Sequence, residues 1–354
     1  MKKIAYIELD THAEIAQDFI NCMLGSSLIS VDYYFTEKIK NQTISCDENI
    51  HLSDSSRVLD QLSIQNYDLV IIGTVHRYFN TFLAITEQYK SAVIVHNLNF
   101  STISKFKLIQ NIIKKDPIYR LKLWWKEGLI NTPEVYENAH QLLVLDEEMN
   151  SAKHQFLPLF FTEKYLKQNS EVVKVVIPGG VSQARRDYNH VISKIKYLEQ
   201  KLKKDNRGLL LEFTFLGKAK GEELQKIIEL ERTLEYITVT YFTDRVSALV
   251  FDEYMQKADV LWCPIQQETM FFSQKEIYGK TKMTGNLGDA IKFGKFAIFP
   301  SEYSSNQTFI INEQENLLDL FLNLKNNEFD FQNDFGRLKI QADLENSILK
   351  MIST

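Results

Sequence analysis

Cysteine is scarce in this chain. Cys22, Cys46 and Cys263 are the only three in 354 residues, and they form no CxxC pair and no metal-ligand spacing. They read as free thiols in a reducing compartment. Long apolar runs are missing too. No window of about 18 residues is apolar throughout, so no segment reads as a bilayer-spanning helix. The run Ile4-Ala5-Tyr6-Ile7 is too short for a signal-peptide core and suits a buried first strand, which makes the cytoplasm the expected location. Neither a P-loop nor a GxGxxG fingerprint occurs. No DxD-type pair stands out as a divalent-cation site, and there is no short internal repeat or low-complexity tract. An excess of positive charge is also lacking. The net charge of −5 argues against nucleic acid as a partner of the whole surface, though a local basic patch is compatible with it.

What is present is an ordinary globular composition, 44% apolar and 25% charged, long enough for two domains. Residues 3–9 predict a strand. Residues 12–24 predict a helix, with Ile15, Phe19, Ile20 and Met23 on its apolar face. Further strands are predicted at 31–35, 69–73, 92–96 and 142–145. Their apolar runs are continuous rather than alternating, which suits a parallel sheet covered on both faces. Residues 162–171 are polar and can link domains. Strand–helix alternation then restarts, with strands at 172–177, 209–216, 237–241, 260–263 and 296–299. Helical patterns cover 183–203, 222–234 and 246–256, and another starts at Thr284. The fold class expected is α/β, with two Rossmann-like, doubly wound domains facing a cleft, at 1–165 and 166–312. Residues 313–354 would form a helical tail that packs back on the first domain.

Two stretches of the second domain carry recognisable chemistry. Residues 280–300 read KTKMTGNLGDAIKFGKFAIFP. A turn at Thr284-Gly285 opens a helix, whose unpaired N–H groups can hold an anion. Asp289 stands about one turn further on and can reach sugar hydroxyls beside that anion. Gly294 closes the helix before a buried strand. The other stretch, residues 178–188, reads PGGVSQARRDY. Gly179 and Gly180 allow close backbone approach. Arg185 and Arg186, at or near a helix start, suit bidentate contact with a pyrophosphate. The plainer readings are a solvated arginine pair beside Asp187 and an ordinary capped helix with surface lysines.

This pattern resembles the donor-nucleotide region of GT-B-fold glycosyltransferases, especially the family-4-like ones. Their second-domain motif runs from a glutamate-alanine pair to a glycine five residues after the glutamate, and then to a buried strand. Here Asp289-Ala290, Gly294 and Ala297-Ile298 stand in that frame. The resemblance implies that residues 1–165 bind the acceptor and 166–312 the nucleotide-sugar donor. It gives Asp289 the ribose, and Thr284 and Gly285 the diphosphate through backbone N–H groups. Arg185 or Arg186, with Lys280 or Lys282, would neutralise the leaving group, the main catalytic term in such a scheme. The sequence departs from the family at Thr281, eight residues before Asp289, where a first glutamate is usual; Glu276 lies thirteen before. That departure leaves retention or inversion open. No metal and no cofactor are required beyond the nucleotide-sugar co-substrate.

Three histidines follow predicted strands of the first domain: His12, His76 and His96. Strand ends are where open α/β sheets place ligands, and a histidine can take a proton from an attacking hydroxyl near neutral pH. If the enzyme inverts, His12 is the first choice for a base, with Asp10 as its orienter, and His96 is a second catalytic candidate; if it retains, a histidine would instead hydrogen-bond the donor sugar. Residues 105–126 hold seven Lys or Arg and one acidic residue, interleaved with apolar side chains and broken at Pro117. They read either as a core-packed helix pair with a solvated basic face or as a contact for an anionic membrane surface. The expected function is transfer of a sugar from a nucleotide sugar to a saccharide or lipid-linked acceptor in cell-surface polysaccharide assembly. The alternatives are a catalytically silent nucleotide-sugar-binding partner of a glycan assembly complex and a nucleotide-sugar epimerase on the same fold.

Overall fold

The computed structural model describes residues 1–44, 49–163, 171–205 and 210–354. Cys46, Leu209 and most of the polar linker fall outside the described residues. The chain forms two compact units. The first comprises Met1–Phe161, Met270–Met283 and Arg337–Thr354; the second comprises Thr162–Thr269 and Thr284–Gly336.

The first unit is built on β1 (Lys2–Glu8), β2 (Ile29–Phe35), β3 (Ile50–Leu52), β4 (Leu69–Ile72), β5 (Ser91–Ile94), β6 (Gln141–Val144) and β7 (His154–Phe156). They lie in the order β3-β2-β1-β4-β5-β6-β7, every pairing parallel. The middles of the central strands are apolar because helices cover both faces; Ile4, Ile7, Val70 and Ile72 are fully buried. Strand order reverses between β1 and β4, so the crevice at the carboxyl ends of these two strands is the topological switch point.

Helix α1 (Ala13–Met23) packs one apolar stripe on this sheet. Helices α2 (Lys105–Lys114) and α3 (Pro117–Lys122) form a separate corner, joined at Asp116 in the left-handed region (φ 49°). Pro117 supplies a first-turn residue that needs no N–H partner. One basic residue here is not solvated: Arg120 is 6% exposed, and its Nη1 donates to the Asn111 carbonyl and to Ser273 Oγ.

The second unit contains β8 (Val173–Pro178), β9 (Leu211–Lys218), β10 (Ile237–Phe242) and β11 (Val260–Trp262). A hairpin, β12 (Glu268–Phe271) and β13 (Gln274–Ile277), comes next in sequence, and its residues from Met270 on belong to the first unit. The second sheet is completed by β14 (Phe296–Phe299) and β15 (Ile310–Asn312), in the parallel order β10-β9-β8-β11-β14-β15. Its switch point lies between β8 and β11. Helix α4 (Tyr188–Asp205) covers the sheet through Val191, Ile195 and Leu198.

The helix expected at 183–203 begins later, at Tyr188. Asp187 ends the preceding turn, its carboxylate accepting the His190 N–H at 3.1 Å. The Ser182 carbonyl holds the turn by accepting the N–H groups of Arg185 and Arg186. Helix α5 (Gly285–Phe293) starts where expected, with Thr284 Oγ1 accepting the Asn286 N–H, and Gly294 ends it in the left-handed region at φ 61°. The final helix α6 (Arg337–Ser353) belongs to the first unit. Ser26 Oγ donates to Glu345 Oε1 at 2.5 Å, and Arg337 Nη2 donates to the Leu24 carbonyl at 2.7 Å.

Candidate functional site

At the switch point of the second sheet, Pro178 ends β8 and the chain turns through Gly179 at φ 101°. This conformation is open to glycine, and a second constraint acts on the same atom. A Cβ at residue 179 would fall inside contact distance of the Arg186 guanidinium. Arg186 is therefore laid over the glycine turn. Its Nη2 donates to Asn286 Oδ1 at 3.2 Å and its Nη1 to the Gly180 carbonyl at 3.4 Å, and its Nε is buried with no partner among the described residues. A backbone bridge from Arg186 to Ile265, and the Asp187 N–H bonded to the Pro264 carbonyl, fasten the loop to the segment after β11.

Asn286 joins the groups of this crevice. It is 2% exposed in the first turn of α5. Its Nδ2 donates to the Pro178 carbonyl at 3.4 Å and to Asp289 Oδ2 at 3.1 Å, while its Oδ1 accepts from Arg186. The amide thus ties the end of β8, the guanidinium and the Asp289 carboxylate into one network. Cβ atoms built on Gly180 and Gly285 meet no atom of the described residues within 4 Å, so among these residues both glycines border open space. A guanidinium, a capped helix N-terminus and a half-buried carboxylate around such space can hold a diphosphate beside a polyhydroxyl group.

The structure thus brings Gly179, Gly180, Arg186, Thr284, Gly285 and Asp289 to one crevice and adds Asn286, which sequence reasoning missed. Arg185 is exposed, and its carbonyl accepts the Gln266 N–H. Lys280 is exposed in the Met270–Met283 segment of the first unit. In that segment Thr281 Oγ1 accepts the Ile277 N–H at 2.8 Å. Glu276 is fully buried, its carboxylate accepting the N–H groups of Asn99 and Phe100. It caps a short helix instead of facing a ligand.

Replacing Gly179 with alanine strains the turn and displaces Arg186. The expected cost is about 1–2 kcal/mol of stability, together with weakened anion binding. Thermal denaturation with and without nucleoside diphosphate reads both effects; an alanine variant with wild-type behaviour in both would remove the turn from the site.

The switch point of the first sheet holds a second polar cluster. His12 caps α1 in the left-handed region (φ 61°, ψ 40°), unusual for a residue with a Cβ. Its ring stacks on His96 at 4.1 Å, and His76 lies edge-on to both at 5.8 Å. Parallel ring faces do not aim their nitrogens at one point, and no group of three His, Cys, Asp or Glu fit to hold a metal occurs among the described residues. Burial pushes His76 and His96 well below the usual imidazole range, and the nearby His12 adds to this. His96 Nε2 lies 2.9 Å from the Gly73 carbonyl. Asn97 Nδ2 donates to His76 Nε2 at 3.2 Å, and Lys282 Nζ donates to Asn97 Oδ1 at 2.8 Å.

The carboxylate beside His12 is Glu14, 2.8 Å from Nδ1, and not Asp10. Asp10 faces Lys38 and Arg77 at 3.5 and 3.7 Å. The loop that carries His12 is shaped by Glu8, which sequence reasoning passed over. Glu8 is fully buried at the end of β1. Its Oε1 accepts the N–H groups of Asp10 and Thr11, and its Oε2 accepts the Thr74 hydroxyl at 2.6 Å. Burial raises its carboxyl to about 7, against these bonds, which favour the charged form. Gly73 leaves room for it, since a Cβ there would crowd Glu8 Oε2.

No protein-family model matches the chain, and no curated protein does. Solved structures do. The UDP-GlcNAc 2-epimerase of Neisseria meningitidis, bound to UDP-GlcNAc, superposes with a TM-score of 0.54 at 12% identity, over 98% of this chain and 100% of that one. The N-terminal domain of Candida albicans trehalose-6-phosphate phosphatase gives 0.56 at 8% identity, over 100% and 97%. The UDP-GlcNAc 2-epimerase of Methanocaldococcus jannaschii gives 0.51 at 11%, over 99% of both chains. At such identities the likeness is one of fold. Two doubly wound parallel sheets along one chain, matched over its whole length, make the fold GT-B, the glycosyltransferase-like architecture.

Proposed function

We propose that this chain is a glycosyltransferase that binds a nucleotide sugar at the crevice of its second unit and passes the sugar to a saccharide or lipid-linked acceptor in polysaccharide assembly. The observation that carries this reading is the Arg186–Asn286–Asp289 network beside the Gly179 turn and the N-terminus of α5. Arg186 and the N–H groups of α5 take the diphosphate, and the charge that develops on it as the glycosidic bond breaks is held by donors already in place. Asp289 takes the ribose hydroxyls. In the first unit, the His12–His96–His76 cluster handles the acceptor hydroxyl, with His12 as the proton acceptor and Glu14 holding its ring. A solved relative in fold was crystallised with UDP-GlcNAc, which makes UDP-sugars the first donors to test.

Replacing Asp289 with alanine is expected to weaken UDP binding by roughly 1–3 kcal/mol, the range for hydrogen bonds to a charged group. Calorimetric titration checks this; unchanged affinity would take Asp289 out of the nucleotide site.

A nucleotide-sugar epimerase is the second reading, favoured by the epimerases among the structures of like fold. A thermal-shift screen of UDP-, GDP-, dTDP- and CMP-sugars identifies the donor, and product analysis then separates the activities. Slow release of free sugar, or transfer to an added acceptor, supports the transferase. A sugar epimer still attached to the nucleotide supports the epimerase. Saturable binding without turnover supports a silent binding partner.

A further inference from the structure

The corner formed by α2 and α3 is not used by either crevice. Eight of the twenty large apolar side chains exposed among the described residues lie between positions 106 and 125. Scattered singly, such residues are unremarkable; gathered in one segment they mark a contact surface. Helix α2 has two apolar faces. Leu108 and Ile112 turn inward to the core, while Phe106, Ile109 and Ile113 point to solvent. Beyond Pro117, Ile118, Leu121 and Trp125 also point outward, with Trp125 90% exposed.

The charge of this surface is opposite to that of the chain. Lys107, Lys114, Lys115, Lys122 and Lys126 are exposed, with no ion-pair partner among the described residues. Asp116 is the only acid between positions 105 and 126, in a chain of net charge −5. Glu127, just beyond, is bonded to Arg77. Side-chain bonds tie this corner to its neighbours. Arg120 clamps α3 to the end of α2 and to Ser273, and the Asn111 amide donates to the Phe272 carbonyl at 3.1 Å.

We propose that this face docks the protein on an anionic lipid bilayer, with α2 and α3 lying in the headgroup plane. Lysine interleaved with Phe, Ile and Trp fits that occupant better than a protein partner, because the cores of protein interfaces are depleted in lysine. Interfacial helices combine those same residue types, tryptophan at the headgroup level and lysine toward anionic lipid. No described helix is long and apolar enough to cross a membrane, so the contact is lateral. It goes beyond the proposed activity and does not depend on it.

The test uses the full chain and vesicles of phosphatidylcholine with or without roughly 30% phosphatidylglycerol. Co-sedimentation is expected only with the anionic vesicles, to weaken with salt, and to be accompanied by a blue shift in tryptophan emission. Trp124 and Trp125 are exposed and Trp262 is buried, so the shift reports this face. The triple variant Lys114→Gln, Lys115→Gln, Lys122→Gln is expected to lose roughly a hundredfold in vesicle affinity. The pair Ile113→Ser and Trp125→Ser is expected to abolish the spectral shift. All five positions are exposed, and UDP affinity measured alongside should not change. The proposal is overturned if the chain ignores anionic vesicles, or if both variants bind as wild type does. It is also overturned if the chain ignores vesicles but forms a dimer that Ile113→Ser and Trp125→Ser dissolve, which would make a second copy the occupant.

Discussion

Replacing Arg186 with alanine is expected to cost about 3 kcal/mol of UDP binding, roughly a 150-fold rise in Kd, while Arg185→Ala changes it less than about threefold. The two arginines are neighbours in sequence with different surroundings. Arg185 is exposed and contributes its carbonyl to the loop. Arg186 is folded over Gly179, bonded to Asn286, with a buried Nε that has no partner among the described residues. An anion in this crevice would satisfy that donor and neutralise the guanidinium at once. Because Arg186 also braces the loop, the melting temperature of the variant must be measured with its affinity. A small loss of stability with a large loss of binding is the expected combination. Equal affinities for the two alanine variants would mean that the nucleotide binds elsewhere.

Replacing Glu8 with glutamine is expected to change how stability depends on pH. The Glu8 carboxyl titrates near 4.5 in the unfolded chain and near 7 in the fold. Between those values the folded protein holds a proton that the unfolded chain has lost. Stability from this group is complete below pH 4.5 and is lost as pH rises through 7. The wild type should therefore lose roughly 3 kcal/mol relative to Glu8→Gln between pH 4.5 and pH 8. His76 and His96 work in the other direction. They are held neutral by the fold, so they cost stability as pH falls below about 6.5, but they do so in both proteins and cancel from the difference. Glutamine keeps the shape and can still meet Thr74 and the loop N–H groups, so the variant should fold. Chemical denaturation of the pair across this range checks the result, and a constant difference would place the Glu8 pKa near its ordinary value.

The fold was legible where the chemistry is local. Runs such as Leu69–Ile72 and Phe296–Phe299 are apolar at every position because a parallel sheet is covered on both faces, and the structure has strands there. The start of α5 at Thr284 and its end at Gly294 were legible for the same kind of reason, since a capping hydroxyl and a left-handed glycine are single-residue signals. What escaped depends on distant partners. The hairpin of β12 and β13 turns at Phe272 and Ser273, both at positive φ, where glycine or asparagine would be expected. Asn111 and Arg120, more than 150 residues away, help hold that turn.

The candidate sites divide in the same way. Glycines, arginines and histidines at strand ends announce themselves. Asn286 reads as an ordinary helix residue until Arg186 and Asp289 are brought to it. Glu8 is one more residue of the strand predicted at 3–9 until Thr74 and the Asp10–Thr11 backbone close over it. Arg120 was counted with a solvated basic face and proved to be a buried clamp, which leaves that face to lysine alone.

The most direct measurement is a crystal structure of the protein with UDP. The diphosphate is predicted to lie in the second unit, within hydrogen-bonding distance of the Arg186 guanidinium and the first N–H groups of α5, with the ribose at Asp289. A diphosphate bound at the Glu8–His12 crevice of the first unit, or a nucleotide that leaves Arg186 and Asn286 untouched, would contradict the account.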